Sequence, residues 1–233
     1  RKALDQHFPI ANGTAFSISP DGYLVTAFHV IKHVPQDQVQ RWSLRSFAHY
    51  VGKHLTPGYL EVREINKVFQ EYQRIAKKSE LYVHIRTADG KEHRAEVIAK
   101  NDELDLALLK INPGEELASI PAAAAGSLRP NQRVLTIGYP LQGVLDQFLD
   151  DLKSSITDGI VSAIRQDKWD IQHTAPMNPG NSGGPLLNAE GALVGINVGV
   201  IREADNVCFA VGVQKLVEWL QSIDKGQILK EQP

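Results

Sequence analysis

The sequence predicts an all-β protein, a sandwich or a pair of barrels, and three observations carry that expectation. Short apolar runs recur along most of its 233 residues, turn residues punctuate them, and several of those turns have hairpin chemistry. Hydrophobic residues make up 42 % and charged residues 22 % of the chain, an ordinary globular balance at a length that holds one large β domain or two small barrels.

In order, the runs fall at residues 14–19, 22–28, 81–87, 93–100 and 104–111, then at 133–139, 158–165, 168–174, 184–188, 192–200 and 206–213. The turns SPDGY, TADGK and NAEGA set a glycine, Gly22, Gly90 or Gly191, directly after an acidic residue, where it supplies positive φ. Residues 112–132 are rich in Pro, Gly and Ala without periodicity and read as the crossing between two groups of strands. Residues 36–79 break the pattern. Val62, Ile65, Val68, Phe69, Tyr72 and Ile75 recur at helical spacing, and LTPGY separates them from an earlier, less regular stretch around Trp42, Phe47 and Tyr50. Residues 31–80 carry nine Lys/Arg and five Asp/Glu, so this insert is near +4 in a chain whose net charge is −2. Two readings of it stay open, a helical hairpin packed as decoration and a lid or docking surface for a regulatory partner. Leu216, Val217, Leu220 and Ile223 share one face and predict a closing helix over 213–223.

Charge and composition narrow the function. No overall basic field and no Lys/Arg run with interleaved aromatics offers a nucleic-acid platform, so no nucleic-acid partner is expected. The single cysteine, Cys208, excludes an internal disulfide and a cysteine zinc cluster. The apolar runs are too short for a transmembrane segment, and the residues after Arg1 have no signal-peptide pattern. The histidines lack partners at metal-binding spacing, so neither metal nor cofactor is expected.

The stretch NPGNSGGPLLN, residues 178–188, sets Ser182 among glycines and prolines. Such a stretch is either a plain turn between strands or a site where another molecule approaches the main chain closely. A serine becomes a nucleophile only when a base takes its proton and a third group orients that base. Of eight histidines, His29 alone ends an apolar strand-like run, GYLVTAFHVI. Among Asp102, Glu103 and Asp105, the last stands at the mouth of an almost wholly apolar strand, where a carboxylate needs a partner if buried.

The blocks GTAFSISPDGYLVTAFHVI, DLALLKI, VLTIGYP, DGIVSA and NPGNSGGPLLNAEGALVGIN occur in this order between Gly13 and Val213. Together they resemble the trypsin-like serine proteases, in particular the HtrA/Deg group. That resemblance implies two antiparallel six-stranded β-barrels of chymotrypsin type, with a helical insertion in the first and a closing helix. The halves would be an N-terminal barrel over about 8–112, a linker over 113–131 and a C-terminal barrel over about 132–213. It also implies His29 as general base and acid, Asp105 as its orienting partner and Ser182 as nucleophile, with Gly180, Asn181 and Ser182 forming the oxyanion hole. Pro176, Met177, Val198, Gly199 and Cys208 would line the substrate pocket.

Departures from the pattern sharpen the expectation. Pro176 stands where trypsin itself has an acidic residue, which disfavours cleavage after Arg or Lys, and Cys208 stands where relatives commonly have glycine, which makes the pocket shallower and favours a small apolar residue before the cut. Asn181 replaces the aspartate that pairs with a freshly cut N-terminus, which points to loop rearrangement as the switch. His173, where relatives often have threonine, reads as a pocket residue or as a strand histidine with a satisfied hydrogen bond. The substrates implied are flexible or unfolded protein segments, and the assembly implied is a trimer. The resemblance favours a periplasmic or otherwise exported protein, and no segment resembling a PDZ domain follows residue 213. Two rival readings share the scaffold, a latent or partner-activated binding module and an esterase using the same triad.

Overall fold

The computed structural model describes residues 12–32, 82–139, 153–200 and 207–232, together with Gln70. The chain divides into two compact units, one of residues 1–11 and 32–82, the other of Asn12–Ile31 and Val83–Pro233. Of the first unit only Lys32, Gln70 and Tyr82 are described, all exposed, with Gln70 helical. The helices expected within 36–79 otherwise lie outside the described residues.

The second unit opens with an antiparallel five-stranded sheet. Its strands are β1 (Ala15–Ser17), β2 (Tyr23–Ala27), β3 (Val83–Arg86), β4 (Glu92–Asn101) and β5 (Leu106–Lys110), in the order β1-β2-β5-β4-β3. The one-turn helix α1 (Phe28–Ile31) follows β2 directly. Sequence explains the order. In β5, LALL is buried throughout, as a central strand requires, whereas β3 alternates half-buried and exposed positions, as an edge does. Gly22, Gly90 and Gly191 all have positive φ in their turns.

The later strands β6 (Arg133–Gly138), β7 (Ser155–Ile164), β8 (Ile171–His173), β9 (Pro185–Leu187), β10 (Leu193–Val200) and β11 (Cys208–Gly212) close into a six-stranded barrel, ordered β10-β11-β8-β7-β6-β9. The arrangement matches the expected double-barrel, chymotrypsin-like fold, with the first half curled as a half-barrel. Among the described residues that half has five strands and stays open, because β1 pairs only with β2 and β3 only with β4.

One apolar core joins the sheet to the barrel. Phe16, Ile18, Val25, Leu106 and Leu108 from the sheet pack in the same cluster as Ile196, Val198 and Val211 from the barrel, with Leu216 and Leu220 of the helix α2 (Val213–Ser222). The crossing segment is bonded to both sides. Leu117 and Ile120 donate to the carbonyls of Pro20 and Ser17, while Ala123 donates to that of Leu193, whose own N–H returns to Pro121. Gly212 opens α2 without a side-chain cap of its own, and the Asp170 carboxylate, reaching over from the turn before β8, accepts the Gly212 N–H at 2.7 Å. Among the described residues no helix is long and apolar enough to cross a membrane.

Candidate active site

The turn from β4 to β5 begins with Asn101, whose Oδ1 accepts the Leu104 N–H, and ends with Asp105 in the left-handed conformation at φ 59°. Aspartate is one of the few residues that enter this region readily. From there its carbonyl accepts the Phe28 N–H at 2.9 Å, and its carboxylate holds His29 twice. Oδ1 accepts the His29 backbone N–H at 2.8 Å, and Oδ2 lies 2.6 Å from the ring Nδ1. The His29 side chain is 45 % exposed and that of Asp105 14 %, so the carboxylate is sheltered while the imidazole presents its other edge to solvent. With Nδ1 donating to the carboxylate, Nε2 is left as the proton acceptor of the neutral ring.

Ser182 stands on the loop between β8 and β9, and small residues let that loop press against β1, β2 and α1. A Cβ on Gly183 (φ 84°) would collide with the Thr14 carbonyl and the Thr26 hydroxyl and come within 2.7 Å of the Ala27 nitrogen. A Cβ on Gly13 would meet both methyls of Val30 and, at 2.9 Å, the Ser182 carbonyl. Gly13 thus lies between the helical turn that carries His29 and the backbone of Ser182. The hydrogen bonds of the His29 side chain are to Asp105 and do not include the Ser182 hydroxyl, and in free enzymes the bond from nucleophile to base often forms only as substrate binds.

The loop backbone is held at four points. The Asn181 N–H donates to Asn178 at 2.9 Å, the Gly184 N–H to Asn181 at 3.0 Å, the Gly183 N–H to Asn197 at 2.7 Å and the Thr14 N–H to the Ser182 carbonyl at 2.8 Å. Gly180 has φ 106°, and the N–H groups of Gly180 and Ser182 find no hydrogen-bond partner among the described residues. Two unpaired donors within one fixed turn can bind an oxygen that develops negative charge.

The expected pocket residues fall on three neighbouring pieces. Pro176 is exposed, and its carbonyl accepts the Thr157 hydroxyl at 2.7 Å. Met177 is half-buried. Val198 is buried and Gly199 half-buried on β10, whose register shifts between Asn197 and Gly199. Cys208 is buried on β11, where burial raises the thiol pKa against an opposing backbone hydrogen bond from Met177.

His173 departs from expectation. It faces Cys208 across β8 and β11 and is fully buried, yet neither ring nitrogen has a hydrogen-bond partner. Burial holds its pKa down to about 4, with Asn197 as a lesser, opposing pull, so the ring is neutral near pH 7. The expected satisfied bond fails because the short β8 directs this ring into the barrel, where the nearby Asn197 Oδ1 is likewise without a partner and the Asn197 amide nitrogen goes to Thr136 and Pro185.

Sequence reasoning missed Thr14. It stands one residue before β1 and is buried in phase with Phe16 and Ile18. A polar residue on the inward face of a strand is the signal that would have found it.

Comparison with known proteins bears on the family and the fold. A family model described as a trypsin-like peptidase domain matches residues 13–196. The chain is 25 % identical to serine protease HTRA4 of Mus musculus over 239 aligned residues, which cover 98 % of this chain and 38 % of that protein. It is 27 % identical to putative protease Do-like 14 of Arabidopsis thaliana, over 70 % of this chain and 38 % of that one. A probable periplasmic serine endoprotease, DegP-like, of a Marinomonas species is 37 % identical over 49 % of this chain and 24 % of its own length. The chain therefore spans less than two fifths of these curated relatives. Among solved structures, the serine endoprotease from Yersinia pestis superposes with a TM-score of 0.60 at 22 % identity, covering 91 % of this chain and 57 % of that one. At that identity the likeness is one of fold.

Proposed function

The chain belongs to the trypsin-like peptidase family, and on that premise we propose that it is a serine endopeptidase working through His29, Asp105 and Ser182. The observation that carries the reading is the double hold of Asp105 on His29, which fixes both the ring and its tautomer beside the Ser182 loop. His29 Nε2 takes the Ser182 hydroxyl proton as Oγ attacks the substrate carbonyl. The oxygen of the tetrahedral intermediate settles on the Gly180 and Ser182 amides. His29 then gives the proton to the leaving amine, the C–N bond breaks, and water attacks the acyl-serine by the same route in reverse.

Cys208, packed beside Met177, supports the preference for a small apolar side chain before the cut. Flexible protein segments are the substrates we propose, and an exported location extends the reading from relatives described as periplasmic. Trimer formation and a regulatory partner at 36–79 belong to the same proposal.

The test is labelling with a fluorophosphonate probe. Wild-type protein should label and cleave unfolded casein, and Ser182→Ala should lose labelling entirely, with turnover reduced by about 10⁶. Labelling that persists in Ser182→Ala would sink the assignment. A wild type that binds casein without labelling would instead support the latent, partner-activated module.

A further inference from the structure

One side chain and one backbone amide of the same residue control the loop described above. Thr14 is 4 % exposed. Its hydroxyl donates to the Gly180 carbonyl at 2.7 Å and accepts the Tyr139 N–H at 3.0 Å, while its backbone N–H donates to the Ser182 carbonyl at 2.8 Å. These are the carbonyls of the two residues whose amides are unpaired.

Two peptide planes are consequently fixed at both ends. The plane joining Gly180 to Asn181 has its carbonyl on the Thr14 hydroxyl and its N–H on Asn178. The plane joining Ser182 to Gly183 has its carbonyl on the Thr14 amide and its N–H on Asn197. Each free amide therefore lies one rotatable centre away from a plane that Thr14 holds. The restraint matters most at Gly180, because a glycine at φ 106° has no side chain to resist rotation of the adjoining planes. A hydroxyl that donates and accepts at once can bridge the Tyr139 amide to the Gly180 carbonyl, and no aliphatic side chain can.

The geometry points to Thr14 as a positioning residue for the oxyanion hole, an inference that rests on the serine-peptidase reading above. Thr14 makes no hydrogen bond to the Ser182 hydroxyl and meets that residue only through its carbonyl. It aims the two donors by holding their carbonyls from outside the loop, so that they are oriented before charge develops.

The experiment compares wild type, Thr14→Val and Thr14→Ser on a fluorogenic peptide with alanine before the cut. Labelling by fluorophosphonate and inhibition by a peptide aldehyde, whose adduct places an oxygen in the hole, are measured alongside. All are assayed at a temperature where circular dichroism shows each variant folded. Valine keeps the volume and the backbone donor but strands the Gly180 carbonyl and the Tyr139 amide. We expect kcat to fall about 10- to 100-fold, less than the ~10²–10³ lost when a donor is removed outright, with KM within about twofold. Aldehyde affinity should fall in parallel, and serine should restore kcat to within about threefold of wild type.

A Thr14→Val protein with wild-type kcat and aldehyde affinity overturns the inference while leaving the peptidase reading intact. A loss that serine does not restore, or one divided equally between kcat and KM, marks general loosening and overturns it too. A wild type that neither labels nor cleaves overturns the peptidase reading, and this inference with it.

Discussion

His173 shows how a single residue registers in the stability of the whole domain. Burial holds its pKa down to about 4 from an ordinary 6.5, so the unfolded chain takes up a proton in a range where the folded one does not. Its share of stability is complete above pH 6.5 and is lost as pH falls from there through 4, on the order of 3 kcal/mol at the acid limit. Urea unfolding of wild type and His173→Thr between pH 7 and 4 should give curves that diverge through that window, with wild type losing more, and parallel curves would refute the effect. His29, Asp105 and Ser182 could be singled out from the sequence as candidates because each sits in a local context, a strand end, a strand mouth or a glycine turn, that few other residues share. The role of Thr14 and the unsatisfied ring nitrogens of His173 were not readable, since both depend on groups brought in from distant strands. The bond from Thr14 to Gly180 spans 166 residues, beyond the reach of any periodicity.

At the scale of elements, local chemistry carried further. Each of the eleven runs became a strand, because alternation and turn glycines act over only a few residues and tertiary packing did not override them. What local pattern lacks is closure: β3 and β4 read as strands, but which edges meet is decided by curvature and by pairing across the sheet. The turn α1 was read as strand end for a related reason, as Phe28 and His29 bend into a helix only where Asp105 supplies the acceptors. The helix α2 was expected over nearly its observed span, but its cap was not, since Asp170 comes from outside the helix. Asp170 also lies 3.6 Å from Lys215 Nζ on the first turn. Replacing Asp170 with alanine strips the acceptor and its charge from the positive end of α2 and should cost about 1–2 kcal/mol in urea unfolding, while asparagine recovers part of that. An unchanged midpoint for the alanine protein would show that water caps the helix equally well.

For the second unit as a whole, the shared core and the crossing strap argue that sheet and barrel form one cooperative body. With the third tryptophan, Trp42, replaced by phenylalanine, the remaining Trp169 and Trp219 both lie in the C-terminal half, whereas far-ultraviolet circular dichroism averages over both halves. Their urea transitions should coincide, and a fluorescence midpoint separated from the dichroism midpoint would mean that the halves melt separately. The stitch between β1 and the serine loop also bears on the time course of biosynthesis. The loop that Thr14 holds lies 166 residues further along the chain, so it cannot be set until all of the intervening chain has been made. On the proposed peptidase reading, a nascent chain that has not reached that loop is harmless to itself and its neighbours, and cutting power arrives only once the loop closes on Thr14.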